Sequence, residues 1–453
     1  MWPMIPSLDA VVQGLAPAFT QPSFHTHCQL VLAWVLCLGR HRLCRVADSA
    51  QPQTLRDHSQ RHGLDTTYNF FERSGWTPAG LAYRVALLIL TRLGLTGTTT
   101  LLVDDTLTHK RGAKVWGMGW FRDAVASTRK RTATASGHNW VVVAVAVCLP
   151  GTGIPILALP LLARLHLPGK GQPSCPQIAR DLLGEVLVWF PGRRFILVGD
   201  GAYAAKPLLD KLDAAVTFVG RLRGDAALYD PRVPKAKAGR RGPKAQKGPR
   251  LSSPKQAATQ ADRRCPVLGG RGWQEVTVTV YGVCKTLWVF RYQGLWPRVL
   301  GLRPVQVVVV RDPVGKMEDA YLFTTQLGAS AAWVITQFAW RWSIEVLFRA
   351  SKQVLDIEGP QHYSREAVEK VAPWVWSLQS IIMVWYISAG RALPEAEELR
   401  AVMGAWESEW SLRHMVAVLR RATLNAIIKP KSGESTQLLE LLEALKNCVN
   451  LAV

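Results

Sequence analysis

The chain has 453 residues, 55 of them Lys or Arg against 33 Asp or Glu, for a formal net charge of +22. That length excludes a miniature scaffold and leaves room for two or three structural units with sizeable buried cores. The charge excess points to a polyanion, most simply DNA or RNA, since each phosphate neutralised releases counterions; a ribosome-associated or merely basic protein is the bland alternative.

Eight cysteines at 28, 37, 44, 148, 175, 265, 284 and 448 contain no CxxC pair. This is neither a zinc-finger spacing nor a dense disulfide framework, and it fits reduced thiols in a cytosolic protein. His25, His27 and Cys28 have no complementary ligand pair nearby, so they do not read as a metal site. The opening MWPMIPSLDA lacks a basic n-region and a signal-type apolar core, so export is not expected.

Residues 1–95 read as a helical N-terminal unit. SFHTHCQLVLAWVLCLGRHR and TPAGLAYRVALLILTRL carry helical patterns, the second opening on Thr77 as N-cap and Pro78 at the first helical position. Arg40, Arg42, Arg45, Arg56 and Arg61 decorate this part, either as DNA contacts or as a solvated surface.

From 96 to 220 the pattern changes. TTTLLVDD, WVVVAVAVCL and PILALPLLARL predict three strands, the last two lying in the tract Trp140–Leu165, where Pro150, Gly151, Gly153, Pro155 and Pro160 argue against a membrane span. PQIARDLLGEVLVWF predicts a helix, RRFILVGDG a strand, AAKPLLDKLD a helix and AAVTFVGRLRG a strand. Three strands followed by helix, strand, helix, strand predict a mixed sheet flanked by helices, its interior buried on both sides.

Residues 221–328 predict a basic loop and a β-rich insertion. Eight Lys or Arg and no acid fall between 232 and 250, among frequent Gly and Pro, so no order is expected from 230 to 264. This loop reads equally as a phosphate-tracking arm or as an inert linker. EVTVTVYGV, KTLWVFRYQ, VQVVVVRDP and DAYLFTT then predict an antiparallel β unit. Its Trp288 and Trp296 suit either core packing or stacking on an unpaired base.

Residues 329–453 return to helix and end in TQLLELLEALKN. Within them FAWRWSIEVLFRASKQ spaces Phe338, Arg341, Glu345 and Lys352 by three, four and seven residues. On one helix these positions fall within roughly 60° of one another. A carboxylate, a guanidinium and an ammonium on one stripe suit a site holding a metal ion beside a nucleic-acid phosphate.

Two further acids follow strands: Asp104/Asp105 in LLVDDT and Asp200 in LVGDGAY. Strand ends combine rigidity with access, and Gly199 and Gly201 beside Asp200 would let a ligand approach the backbone. Three carboxylates can hold two Mg²⁺ or Mn²⁺ ions, with phosphate oxygens completing the shell. His109, Lys110 and Arg111 just beyond Asp105 would add phosphate contacts, or are loop charges.

These residues make the chain resemble the DDE transposases of bacterial insertion sequences, in particular the group with a YREK signature. The signature falls on Phe338, Arg341, Glu345 and Lys352, with LLVDDT and LVGDGAY as the first- and second-aspartate motifs, and the similarity runs from about residue 60 to 365. Phe338 stands where the group has tyrosine, so a hydroxyl contact is lost there. Of Asp104 and Asp105, the second directly precedes Thr106 as in the group's Asp-Thr pattern and is preferred; successive strand side chains face opposite ways, so one of the two aims at the metal.

The resemblance implies an RNase H-like core at 96–220 and 329–453, interrupted by the insertion. It implies that Asp105, Asp200 and Glu345 coordinate two divalent ions, and that Arg341 and Lys352 grip phosphates. The implied task is cutting double-stranded DNA at terminal inverted repeats and joining the 3′-ends to a target, as a dimer, at the bacterial nucleoid in the cytoplasm. The rivals are a binding-only descendant and another RNase H-fold nuclease.

Overall fold

The structure, a computed structural model, describes residues 4–49, 59–128, 130–149, 155–232, 245–264, 272–404 and 406–428. Among these residues ten strands carry the fold: β1 (Thr99–His109), β2 (Gly119–Arg122), β3 (Thr134–Val147), β4 (Leu157–His166), β5 (Phe195–Gly199), β6 (Val216–Arg221), β7 (Gln274–Val280), β8 (Val283–Leu295), β9 (Pro304–Arg311) and β10 (Ala320–Thr324). They form one sheet in the order β2-β3-β1-β5-β6-β10-β9-β8-β7, with β4 also on β3. β1, β3 and β4 pair antiparallel, whereas β1, β5 and β6 run parallel. Trp140–Val147 of β3 is buried throughout, as a near-continuous apolar strand covered on both faces must be.

The sequence predicts an antiparallel β unit in the insertion; its four strands pair antiparallel, and β10 also pairs with β6, so they extend the same sheet. The edge of β6 would otherwise present unpaired backbone groups.

Helices α1 (Pro6–Val12), α2 (Gln21–Leu36), α3 (Leu43–Ser49), α4 (Ser59–Glu72) and α5 (Pro78–Arg92) precede the sheet. Thr77 caps α5 as its position predicts, its hydroxyl accepting the Gly80 N–H at 3.1 Å. Thr77→Ala is expected to cost about 1 kcal/mol, read as a lower urea midpoint. His27 of α2 is fully buried, accepts the Trp374 indole N–H at 3.0 Å, and burial drops its pKa to about 3. It is a core residue.

Helices α6 (Cys175–Trp189) and α7 (Lys206–Leu209) follow β4 and β5, α7 being far shorter than AAKPLLDKLD predicts. Helix α8 (Pro254–Arg264) occupies residues where no order is expected; Ser253 before Pro254 is a helix-start pair that the Gly- and Lys-rich context obscures. Residues 233–244 of the basic loop, Arg56, and the predicted helix at 436–447 lie outside the described residues.

After α9 (Pro297–Leu300) come α10 (Ala331–Trp340), α11 (Trp342–Gln353), α12 (Arg365–Ser388), α13 (Pro394–Met403) and α14 (Leu412–Ile428). Among the described residues, α12 alone is long and apolar enough to cross a membrane, and 89% of its apolar window is buried within the protein. It is a core helix packed on β4, α5 and α14. It also fixes α11: Ser351 donates to Gln379 at 2.6 Å and receives the Trp376 indole N–H at 3.1 Å.

Candidate active site

β1 and β5 pair from Thr99/Phe195 to Val103/Gly199, and β5 then stops. Asp200 follows at once. β1 does not end at its acids, as the sequence predicts, but continues to His109, because the fourteen-residue β3 keeps pairing with it as far as Gly137. Asp104 and Asp105 therefore lie where β1 loses its parallel neighbour, beside Asp200.

The two acids of β1 have different surroundings. Asp104 Oδ2 meets Arg341 Nη1 at 3.1 Å, and Arg341 Nη2 meets Glu345 Oε1 at 2.7 Å. One guanidinium thus joins the strand acid to the helix acid. Burial, then the Asp200 charge, push the Asp104 pKa up to about 7, against the opposing pull of Arg341. Asp105 has both oxygens taken by neutral donors: Asn139 Nδ2 at 3.2 Å and the Tyr203 hydroxyl at 3.1 Å. Burial raises its pKa, and those two hydrogen bonds hold the rise back. Asp200 accepts the N–H groups of Ala202 and Tyr203 at 2.8 and 3.3 Å.

The geometry thus groups Asp104, Asp200, Arg341 and Glu345, whereas the Asp-Thr pattern favours Asp105. Tyr203 and Asn139 carry no recognisable sequence signal; Tyr203 lies within LVGDGAY, but only the folded chain shows that its hydroxyl reaches back to β1.

The stripe 338–353 is not one helix. α10 and α11 meet at Arg341, where Arg341 N–H bonds Phe338 O at 3.2 Å and Ile344 N–H bonds Arg341 O at 3.0 Å, a tightened three-residue spacing. The Arg341 guanidinium still lies 5.7 Å from the Phe338 ring centroid. Ile344, Leu347 and Phe348 are buried and seat α11 on β1 and β4.

The remaining basic candidates lie elsewhere. Lys352 Nζ donates to Leu107 O at 2.5 Å and lies 3.8 Å from Glu358. Lys110 Nζ donates to the carbonyls of Glu358 and Pro360 at 2.9 and 2.8 Å, and burial lowers its pKa to about 8. His109 bridges Asp123 and Glu358 at 2.9 and 3.1 Å. Both lysine ammoniums and His109 thus gather on the segment after α11, while Arg111 is exposed on the adjoining loop. Glu358, which organises this group, is a residue the motif reading does not single out.

Gly199 makes room for packing rather than for a ligand: a Cβ there would lie 2.9 Å from Tyr203 Cβ and 3.1 Å from Val103 Cγ1. Gly199→Ala is expected to destabilise the fold by about 1–3 kcal/mol in urea unfolding, through overpacking. In the insertion, Trp296 packs edge-on against Phe323, and Trp288 is partly exposed on β8. It is Tyr281, at the β7–β8 turn, that reaches across to Trp342 at the start of α11, with ring centroids 6.2 Å apart.

Among the described residues, no three His, Cys, Asp or Glu side chains are close enough to hold one ion, and Arg341 stands between Asp104 and Glu345. The donor chemistry nonetheless suits a hard divalent cation. All the groups are carboxylate oxygens, and Asp104 is crowded by Asp200 beyond what Arg341 offsets.

A comparison with curated protein sequences finds no match. Among solved structures, the chain is similar to a piggyBac transposase in a cryo-EM synaptic complex with hairpin DNA, at 11% identity, covering 98% of this chain and 80% of that chain, with a TM-score of 0.39. That overall likeness is slight. The family model described as DDE superfamily endonuclease matches residues 14–282, which include Asp104, Asp105 and Asp200 and leave Glu345 outside. That match spans more than half of the sequence, and the chain belongs to the DDE superfamily endonuclease family.

Proposed function

We propose that the chain is a DNA transposase that cleaves the ends of its own element and joins their 3′-ends to a target by metal-dependent phosphoryl transfer. The observation that carries the reading is the single guanidinium of Arg341 joining Asp104 of β1 to Glu345 of α11, with the charge of Asp200, just past the end of the adjacent β5, acting on Asp104. Three long antiparallel strands and the short β2, then a helix and two parallel strands split by a short helix, support an RNase H-like reading of residues 96–220.

The carboxylates of Asp104, Asp200 and Glu345 would hold Mg²⁺ or Mn²⁺, with Asp105 as the alternative to Asp104. Such ions, when bound, supply Lewis-acid stabilisation of the attacking and leaving oxygens. Arg341 would orient a phosphate near the scissile bond through its forked donors, and Asn139 and Tyr203 would hold Asp105 and so the register of β1. Lys352 would serve as a point charge, but only after leaving Leu107 and Glu358; Lys110 stays with its carbonyls. A net charge of +22 supports a double-stranded DNA partner, and two element ends call for a dimer on DNA.

The test uses duplexes carrying the DNA that flanks the gene on either side. The proposal expects Mg²⁺-dependent nicking at the element boundary and joining of the new 3′-end to a second duplex. Cleavage without preference for the boundary and without joining would instead mark a general nuclease, and binding without any cleavage would mark a descendant that keeps only its affinity for DNA.

A further inference from the structure

Arg341 occupies an unusual position for a phosphate-gripping residue. Two of its guanidinium nitrogens are engaged by carboxylates from different elements, Asp104 on β1 and Glu345 on α11. Arg341 and Asp104 each keep only 17% side-chain exposure, so solvent screens the pair weakly. Its third nitrogen, Nε, is buried without a hydrogen-bond partner. A buried guanidinium N–H in that state signals a group whose bonding is incomplete in this arrangement. The carboxylates it joins are the ones assigned above to a divalent ion, and the guanidinium on Asp104 Oδ2 and Glu345 Oε1 competes with that ion for their charge and their oxygens.

We infer that Arg341 is an internal counter-cation, a latch that ties Asp104 to Glu345 and competes with a divalent ion for both carboxylates. This rests on the metal reading above and adds a competition to it: ion binding and the two ion pairs weaken one another. The affinity for a divalent cation is therefore lower than the three carboxylates alone would give. Arg341 is a positioning residue in this role, since it acts through the acids.

The experiment measures Mn²⁺ binding to the full chain at pH 8 without DNA, by electron paramagnetic resonance of free Mn²⁺. Arg341→Gln is expected to bind Mn²⁺ at least ten-fold more tightly than the wild type. Arg180→Gln removes the same charge from α6, where Arg180 is exposed and pairs with Asp181 rather than with either acid, and is expected to change the affinity less than three-fold. Arg341→Lys, whose single ammonium cannot bridge both carboxylates, is expected to fall between wild type and Arg341→Gln, and it serves if the glutamine variant does not fold. Equal Mn²⁺ affinity in wild type and both Arg341 variants would overturn the latch while leaving the metal reading standing. An equal gain in Arg180→Gln would overturn it too, as a general charge effect. Absence of Mn²⁺ binding in every variant would overturn the metal reading itself, and the latch with it.

Discussion

Glu345→Gln is expected to lower Mg²⁺-dependent cleavage of boundary DNA by at least about a thousand-fold while leaving DNA affinity within a few-fold, because a neutral amide cannot replace a carboxylate facing a cation. Asp200→Asn is expected to do the same. Glu345 is the informative position, since the family match stops at residue 282 and its assignment depends on the spacing of Arg341, Glu345 and Lys352 together with the ion pair to Arg341. The fold should tolerate the change: Glu345 is partly exposed, and α11 is held by Ile344, Leu347, Phe348 and Ser351 on its other side. Gel-shift affinity and cleavage rate, measured on one preparation, separate the two effects. Full cleavage by both variants would remove these carboxylates from the reaction.

The second large effect concerns stability and separates the two acids of β1. Asp104 has its folded-state pKa raised from an ordinary carboxylate value to about 7, mainly by burial and then by Asp200. Between about pH 4 and 7 the folded chain binds a proton that the unfolded chain has released, so stability falls as pH rises through that window. The full cost applies above pH 7 and reaches at most about 4 kcal/mol. Asp104→Asn resembles the protonated side chain. It is expected to raise the urea midpoint of the metal-free protein at pH 8 and to leave it unchanged below pH 4, and Mg²⁺ should no longer stabilise the variant. At Asp105 the same relief is smaller, because its two hydrogen bonds hold the rise back, and Asp105→Asn adds an opposing cost. Its new amide would turn a donor toward the Asn139 amide or the Tyr203 hydroxyl, costing about 1–3 kcal/mol for a buried group left unpaired. If instead Asp105→Asn abolishes cleavage and metal stabilisation while Asp104→Asn preserves both, the metal ligand on β1 is Asp105, as the Asp-Thr pattern suggests.

Much of this protein was legible in local pattern. Val141–Val147 and Leu157–Leu165 read as strands because buried strands are near-continuously apolar, and Thr77–Pro78 marked the start of α5 because capping depends only on neighbouring residues. The acids were legible as candidates, since carboxylates following apolar strands and a charged helical stripe are local features. Other outcomes depended on distant partners. The length of β1 beyond Asp105 is decided by β3, and the joining of β7–β10 to the core sheet by the pairing of β10 with β6. Which of two adjacent aspartates faces Arg341 depends on where α11 docks, and α11 docks through its Ser351 onto Gln379 and Trp376 of α12, residues that share no periodicity with Asp104. The side-chain period of a strand guarantees that Asp104 and Asp105 point to opposite faces, but which face meets the helix is a property of the packed layers alone.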